Sequence, residues 1–316
     1  MRRYILYILV LALITIIGCA TIAVEKTKKA YLDRGNSYYK TGNYQRAIKE
    51  YTQAIRLDPR LADAYFNRGL VYNNTGQYDK AIADFSKAIS IDPKLTNAYY
   101  NRGIAYDNKG NFEQAISEFS KELEINPRYA EAYYNRGNAH GKQGQYDKAI
   151  ADFNKAIEIN PKYAKALYNR GFAYAKGKGQ YDQAISDYSK AIEINPKFVY
   201  AYLHRGLIYA GKNQLERSIA DFNKVIEINQ NYALAYNYRG YAYRLKGQHD
   251  KAISDYSRAI EINPKYAWAY NNRGTSYYSK GEYDKAWVDI HKAMSLGYQI
   301  HPGFLKALRE ASGRQE

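Results

Sequence analysis

The sequence predicts an all-α protein, a solenoid of eight helix-turn-helix repeats closed by a C-terminal capping helix. A short motif carries this prediction, because the segment at residues 64–69 (AYFNRG) returns with little change at 98–103, 132–137 and 166–171. The glycine of the motif recurs every 34 residues, with a single step of 35, and a fixed period of this length indicates a repeat array. Within each copy, apolar residues recur at helical three-four spacing, and glycine or asparagine separates the two helices.

The N-terminal segment has the composition of a targeting signal. A basic stretch at residues 1–3 is followed by an apolar run over residues 4–18, as in a secretory signal peptide. The run ends in the sequence IIGC at residues 16–19, which resembles the lipobox of bacterial lipoproteins. The resemblance marks Cys19, the only cysteine in the chain, as the site of lipidation.

The lipobox implies a lipoprotein anchored in the membrane of the cell envelope and facing the periplasm or the exterior. We expect residues 1–18 to be removed as the signal peptide and residues 19–27 to form a charged tether. Ala20, in place of Asp, follows the cysteine, and by resemblance to Gram-negative lipoproteins this favours the outer membrane. The alternative is an uncleaved anchor, since residues 4–24 form an apolar stretch about long enough to span a bilayer.

Each repeat is predicted to be two helices joined by a tight turn and ended by a stop. Seven turns carry glycine and the sixth carries Asn213, the two residue types that tolerate a left-handed conformation. Six copies end in Asp-Pro or Asn-Pro, and the residue before proline is driven out of the helical region. The predicted repeats are residues 28–61, 62–95, 96–129, 130–163, 164–198, 199–232, 233–266 and 267–300, followed by a capping helix and tail at 301–316.

A glycine inside the first helix of every repeat needs a physical reason, because it costs about 1 kcal/mol relative to alanine. We expect the second helix to pack too closely for a side chain, with the small residue twelve positions on, Ala81 for Gly69, as the facing contact. In the fifth copy the matching residue is Ala184, thirteen positions after Gly171, which predicts that the additional residue lies in the turn at 176–179.

The spacing of these residues resembles the tetratricopeptide repeat (TPR), whose signature is an aromatic residue, then Gly, Tyr, Ala, an aromatic residue, Ala and Pro. The match covers residues 28–300, with departures such as Glu122 for the second alanine and Gln230 for proline. The resemblance implies a right-handed α-solenoid whose first helices line a concave groove. It also implies a protein-interaction scaffold that binds a peptide segment or helix of a partner, and bacterial TPR lipoproteins of this kind assemble envelope machinery.

An arginine precedes every repeat glycine, and an acidic residue follows on the second helix. Because a buried charge must be paired, the pattern predicts ion pairs that link the two helices. The alternative is an arginine-lined site for an anion. The predicted structural pairs are Arg68 with Asp84, Arg102 with Glu118, Arg136 with Asp152, and Arg170 with Asp187.

Two rows of side chains are predicted to line the concave groove. An asparagine amide can donate to and accept from the backbone of an extended peptide, so a row of asparagines is either a peptide-binding ladder or a merely solvated row. The asparagine row is Asn67, Asn101, Asn135, Asn169 and Asn272, and the aromatic row beside it is Phe66, Tyr100, Tyr134 and Tyr168.

Toward the C-terminus the groove becomes more apolar, which predicts a pocket for a partner. Trp and Tyr are the usual anchors of protein interfaces. The alternative is that the terminal repeats or the capping helix cover this surface. The predicted pocket residues are Tyr200, Leu234, Tyr238, Tyr241 and Trp268.

No motif for catalysis, metal binding or cofactor binding is evident. The five histidines are scattered, and neither HExxH, a phosphate-binding GxxxxGK[ST] loop nor a GxSxG elbow occurs. We therefore expect no enzyme, no cofactor and no small-molecule ligand. The formal net charge of +16 and the 37 tyrosines leave single-stranded nucleic acid as the alternative partner. The lysines recur once per repeat without clustering, which favours an ordinary solvated surface over such a site.

Overall fold

The computed structural model describes residues 24–314, and over this range the chain is entirely helical, without strands. The signal segment and Cys19 lie outside the described residues. The helices are α1 (24–40), α2 (Tyr44–Leu57), α3 (Ala62–Asn74), α4 (Tyr78–Ile91), α5 (Thr96–Asn108), α6 (Phe112–Ile125), α7 (Ala130–Lys142), α8 (Tyr146–Ile159), α9 (Ala164–Lys178), α10 (Tyr181–Ile194), α11 (Val199–Gly211), α12 (Leu215–Ile228), α13 (Ala233–Leu245), α14 (His249–Ile262), α15 (Ala267–Ser279), α16 (Tyr283–Ser295) and α17 (Pro302–Ser312).

The helices pair as the repeats predict, and they form two compact units that divide after Pro161. In the first unit, each helix from α2 to α8 packs against the next, and α5 also contacts α3 and α7. In the second unit, α9 to α17 pack in the same consecutive order, and α13 also contacts α11 and α15. First helices of neighbouring repeats therefore lie side by side within each unit, which is the stacking of an α-solenoid.

The turns inside the repeats depend on a left-handed residue. Gly76, between α3 and α4, has φ +73°. Asn213, between α11 and α12, has φ 56° and is the sole non-glycine residue with positive φ in the described range. Glycine and asparagine are the residues that adopt this conformation at least cost, so the turn prediction is confirmed for these positions.

The fifth repeat accommodates its additional residue differently from the prediction. Helix α9 has 15 residues, whereas the first helices α3 and α5 have 13 each, and the left-handed Gly179 follows directly after α9. The prediction that the additional residue lies in the turn at 176–179 is therefore wrong, because the helix continues through Lys178 and only then closes.

The glycine of the first helix leaves space for a different neighbouring side chain from the one that was predicted. A Cβ on Gly69 would lie 2.8 Å from Cε1 of Phe85, the aromatic residue sixteen positions on, and Ala81 is not among its nearest contacts. At Gly137 the carbonyl oxygen of Ala149, at 3.2 Å, is a third contact behind the Phe153 ring. The alanine prediction is thus wrong in its main contact at Gly69, because the ring of Phe85 occupies the space that a side chain would need.

The C-terminal end is closed by helix α17. Pro302 begins this helix, and Leu308 is fully buried against Trp287 and its neighbours on α16. The Trp287 Nε1 group donates to Ser312 Oγ at 3.0 Å, which joins the end of α17 to α16. Helix α17 thereby buries the apolar face that the last repeat of an array would otherwise expose to solvent.

Candidate functional site

The motif arginines form ion pairs with the acidic residues of the second helices. In each pair, Nε and Nη2 of the arginine donate to the carboxylate at 2.6–2.9 Å, a two-pronged geometry that makes charge-assisted bonds strong. The structure brings together all four predicted pairs: Arg68 with Asp84, Arg102 with Glu118, Arg136 with Asp152, and Arg170 with Asp187. With their donors engaged internally, these arginines do not form a site for an external anion.

The same arginines also join neighbouring repeats, a role that the sequence prediction missed. Nη1 of Arg68 donates to Thr52 Oγ1 of the preceding repeat at 3.0 Å, and Nη1 of Arg102 donates to Ser86 Oγ at 2.8 Å. The small polar acceptor lies sixteen residues before each arginine, a period that the sequence displays. The further instances are Ser120 with Arg136, Ser189 with Arg205, Asn223 with Arg239, and Ser257 with Arg273.

The asparagine row takes part in contacts between repeats. Asn67 Nδ2 donates to Asn36 Oδ1 at 3.0 Å, Asn135 Nδ2 donates to the Tyr100 hydroxyl at 2.8 Å, and Asn272 Nδ2 donates to Asn237 Oδ1 at 3.0 Å. Asn101 instead donates to the carbonyl oxygen of Asn97 in its own helix, and Asn169 occupies the same register on α9. The amide donors of at least four members are therefore used inside the fold, and a role in pairing with a peptide stays a prediction.

The aromatic row is half-buried and packs on the rings that cover the repeat glycines. Phe66 lies 5.8 Å from Phe85, and Tyr100 lies 5.8 Å from Phe119, measured between ring centroids. Tyr134 and Tyr168 make the same contact with Phe153 and Tyr188. Tyr168 also stacks on His204, which replaces the asparagine in the sixth repeat, with a hydroxyl-to-Nδ1 distance of 3.0 Å. This row thus has a packing role in addition to any contact with a partner.

An open cavity of about 510 Å³ lies on the second unit, where the first helices α11, α13 and α15 adjoin. Its walls are mostly apolar and aromatic, with two asparagines, and they contain no acidic residue. The lining residues are Leu207, Ala210, Gly211, Phe222, Asn237, Tyr238, Tyr241, Leu245, Trp268, Asn272 and Tyr298.

Three of the five predicted pocket residues line this cavity. Tyr238, Tyr241 and Trp268 meet there, and Trp268 is 54% exposed while its ring packs edge-on against Tyr298 at 6.2 Å. Neither the terminal repeats nor α17 cover this tryptophan. Leu234 instead packs against the apolar cluster around Phe222, and Tyr200 is exposed away from the lining.

Gly211 also lines the cavity, and the sequence did not predict it. No packing contact in the fold requires a glycine at this position. A Cβ at this position would meet no atom within 4 Å, and the residue ends helix α11 without a positive φ. Glycine in a helix costs stability relative to alanine, and no contact of the fold explains it at this open wall. The sequence signal is that no other repeat has glycine five residues after its repeat glycine.

Burial perturbs several groups near the cavity. It raises the pKa of the Tyr256 hydroxyl, and the positive charge of Arg244 partly opposes that rise. It lowers the pKa of His204 among the aromatic rings. In residues 24–314, no group of three or more His, Cys, Asp or Glu side chains is arranged to hold a metal ion.

Paired helices stacked repeat on repeat, with an exposed aromatic cavity on the first helices, define a helical repeat protein of the scaffold class. Family models agree with this class over more than half of the chain, and the chain belongs to the tetratricopeptide repeat family. The tetratricopeptide repeat models match residues 62–95, 130–163, 85–117 and 153–186, and the TPR repeat model matches 35–76, 108–144, 178–213, 206–247 and 240–281.

Solved structures show the same relationship. The MamA protein is 31% identical, with alignment over 55% of this chain and 94% of that chain and a TM-score of 0.51. YrrB, described as a TPR protein with an unusual peptide-binding site, is 26% identical over 58% of this chain and 95% of that chain, with a TM-score of 0.51. The pilF protein of Pseudomonas aeruginosa shares the fold, at 18% identity over 66% of this chain and 94% of that chain, with a TM-score of 0.57. No curated protein matches significantly.

The repeat fold is that of a protein-protein interaction scaffold. None of the helices described between residues 24 and 314 is both long and apolar enough to cross a bilayer.

Proposed function

We propose that this protein is a non-enzymatic adaptor that binds a peptide segment or helix of a partner protein in the cavity on α11, α13 and α15. We further propose that a lipid on Cys19 anchors it to the cell envelope, with the outer membrane favoured in a Gram-negative organism. The observation that supports the binding site best is the half-exposed Trp268 beside an unobstructed Gly211 on the wall of one cavity.

The size and lining of the cavity suit a peptide side chain. A volume of about 510 Å³ lies in the range of ligand sites, and an apolar wall with a few polar groups is the usual composition. Trp and Tyr supply most of the binding energy at protein interfaces, because they bury a large area at small conformational cost. Asn272, whose Nδ2 donates to the buried Asn237 at the wall, provides a fixed amide whose oxygen can accept from a peptide backbone.

Similarity to YrrB supports the same assignment. That protein is described as having a peptide-binding site, and its similarity to this chain extends over 58% of the present sequence. A peptide is therefore a ligand type that this repeat architecture accommodates.

The charge of the chain gives little support to the nucleic-acid alternative. The motif arginines are paired with acids, and lysines such as Lys142 and Lys246 pair with Asp107 and Glu216 of the preceding repeats. These paired cations contact carboxylates of the fold, so they are not free to bind phosphates, and the excess that gives the formal net charge of +16 comes from other side chains.

The binding site can be tested by selecting a phage-displayed library of random peptides against the purified full-length protein. Trp268→Ala removes the exposed anchor, and Gly211→Leu fills the cavity from an open wall without a steric clash. Ser279→Leu is the matched control, because Ser279 is exposed and lies five residues after its repeat glycine, as Gly211 does, but outside the cavity lining.

We expect selected peptides to bind the wild-type protein and Ser279→Leu alike. Trp268→Ala should weaken them by about thirtyfold, the effect of an interface hot spot of about 2 kcal/mol. Gly211→Leu should abolish the binding while the melting temperature stays the same or rises. Equal binding to all four proteins would contradict the site, and binding of a poly-dT oligonucleotide in place of peptides would favour the nucleic-acid alternative.

A further inference from the structure

Arg244, on helix α13, differs from the motif arginines because it has no acidic partner within the part of the chain that the structure describes. Its guanidinium carbon lies 5.0 Å from the centroid of the Tyr241 ring, and that ring lines the cavity. Its Nε group is buried and makes no hydrogen bond. A partly buried cation with an unsatisfied donor is costly, because it has lost water without gaining an acceptor.

The surroundings of Arg244 supply no charged acceptor. The buried Tyr256 hydroxyl lies close enough to interact with Arg244, but it is a neutral group, and no carboxylate lines the cavity. The nearest positively charged side chain on α13, Arg239, is already paired with Asp255. The charge of Arg244 therefore acts on the cavity without an opposing charge from its walls.

The sequence register shows that Arg244 is not part of the structural ion-pair scheme. It lies four residues after its repeat glycine, where no other repeat carries a cation. The corresponding residues are Tyr39, Asn73, Asp107, Gly141, Ala175, Ala210 and Tyr278. A cation at this one position of the repeat, beside an aromatic cavity, is therefore not explained by the structural pattern that the repeats share.

We propose that the cavity recognises a peptide segment that carries an acidic side chain within a few residues of an apolar or aromatic anchor. This inference rests on the proposed function, since it assigns chemistry to the peptide that the same cavity binds. The anchor residue enters between Gly211, Tyr241 and Trp268, and the Asp or Glu carboxylate accepts hydrogen bonds from the guanidinium of Arg244. An arginine held by stacking on a tyrosine is preorganised for this contact, because little side-chain freedom remains to be lost.

The test compares peptides selected on the wild-type protein with those selected on Arg244→Gln. The library is displayed ahead of the coat protein, so no peptide has a free C-terminal carboxylate and any acid preference comes from side chains. Arg217→Gln is the matched control, because Arg217 also stacks on a tyrosine, Tyr209, but that tyrosine, unlike Tyr241, does not line the cavity. Synthetic peptides with amidated and free C-termini then separate a side-chain carboxylate from a terminal one.

We expect wild type and Arg217→Gln to enrich peptides with Asp or Glu near an apolar residue, and Arg244→Gln to lose the acid preference while it retains the apolar one. Replacing the peptide acid by its amide should weaken binding to wild type by about tenfold or more, as for a desolvated charge pair, and should not change binding to Arg244→Gln. Apolar enrichment without acid preference on wild type would overturn this inference and leave the proposed function standing. No enrichment on wild type beyond that on Gly211→Leu would overturn both.

Discussion

The Arg136 guanidinium donates to Ser120 Oγ of the preceding repeat at 2.9 Å while its other two nitrogens hold Asp152 at 2.9 and 2.7 Å. One side chain thereby ties together three helices, α6, α7 and α8. The arrangement recurs within each of the two units, where such an arginine links the two helices of its own repeat and joins that repeat to the one before it; the further examples are Arg68, Arg102, Arg205, Arg239 and Arg273.

Removing this arginine is expected to destabilise the array. Arg136→Ala leaves the buried Asp152 carboxylate without its partner, and stranding one member of a buried ion pair costs about 3 kcal/mol. Thermal or urea denaturation followed by circular dichroism measures the change. A denaturation midpoint equal to that of wild type would show that the pair does not stabilise the fold.

The chain offers matched controls for this variant. Arg34 has no preceding repeat within the described residues, its side chain is 51% exposed, and it reaches Glu50 through Nε alone, so Arg34→Ala should have a much smaller effect. Ser120→Ala removes the acceptor of Nη1 and the hydrogen bond that Ser120 Oγ donates to the Ile116 carbonyl oxygen, and it should cost about 1–2 kcal/mol, less than the loss of the ion pair.

Glu122 is expected to lower the stability of the folded protein at neutral pH. Its side chain is fully buried on α6 at a position where the repeat signature has alanine, and among residues 24–314 no cation pairs with its carboxylate, so that only Asn126 opposes the effect of burial. Burial raises its pKa above the ordinary value, so the folded state favours the protonated form. Stability is therefore lost as the pH rises through the folded-state pKa and is recovered as the pH falls toward the ordinary value of 4.5.

Glu122→Gln should stabilise the protein at pH 7, because the neutral amide has no charge to desolvate; the gain should be about 1.4 kcal/mol for each unit by which burial raises the pKa of Glu122. The advantage over wild type should shrink as the pH is lowered toward the ordinary pKa of glutamate, because the native carboxyl is then neutral. Denaturation midpoints measured across this pH range check the prediction. Glu124→Gln, on the exposed face of the same helix, is the control and should show no such pH-dependent gain, whereas a gain equal to that of Glu122→Gln would refute the explanation.

Cys19 is expected to carry the membrane anchor. Growth of cells with an alkyne-tagged palmitate should label the wild-type protein, and Cys19→Ser should remove both the label and the shift in mass that accompanies signal cleavage. The chain has no other cysteine, so thiol chemistry elsewhere cannot account for the label. An unlabelled wild-type protein that still sediments with membranes would instead support the uncleaved anchor over residues 4–24.

Much of the fold could be predicted because its determinants are local and repeated. The period of the glycines, the three-four spacing of apolar residues and the turn residues each act within one repeat, so eight copies of the pattern reinforce a single answer. The two errors concern features that depend on how helices pack against each other. Phe85, and not Ala81, is the residue nearest to Gly69, and the additional residue of the fifth repeat lengthens helix α9. The periodicity of a single helix predicts neither feature.

The candidate site was predictable only in part. Trp268, Tyr238 and Tyr241 are visible as large apolar residues on a face that solvent should occupy. Gly211 and Ala210 could not be recognised in this way, because they contribute to the cavity by leaving space where a larger side chain would lie. Arg244 resembles any other surface arginine until its neighbours are known, and only those neighbours show that it lacks an acidic partner among the residues described.

The sequence by itself determined the repeat, its two helices, its turns and the charged residues that each repeat must pair, because periodicity and charge are properties of the chain. The tertiary structure decided which groups meet: the arginine with the hydroxyl of the preceding repeat, the aromatic ring with the glycine, and the walls of the cavity with one another. These contacts join side chains of different helices, and their distances follow from how the packed helices cross, which the periodicity of a single helix does not encode.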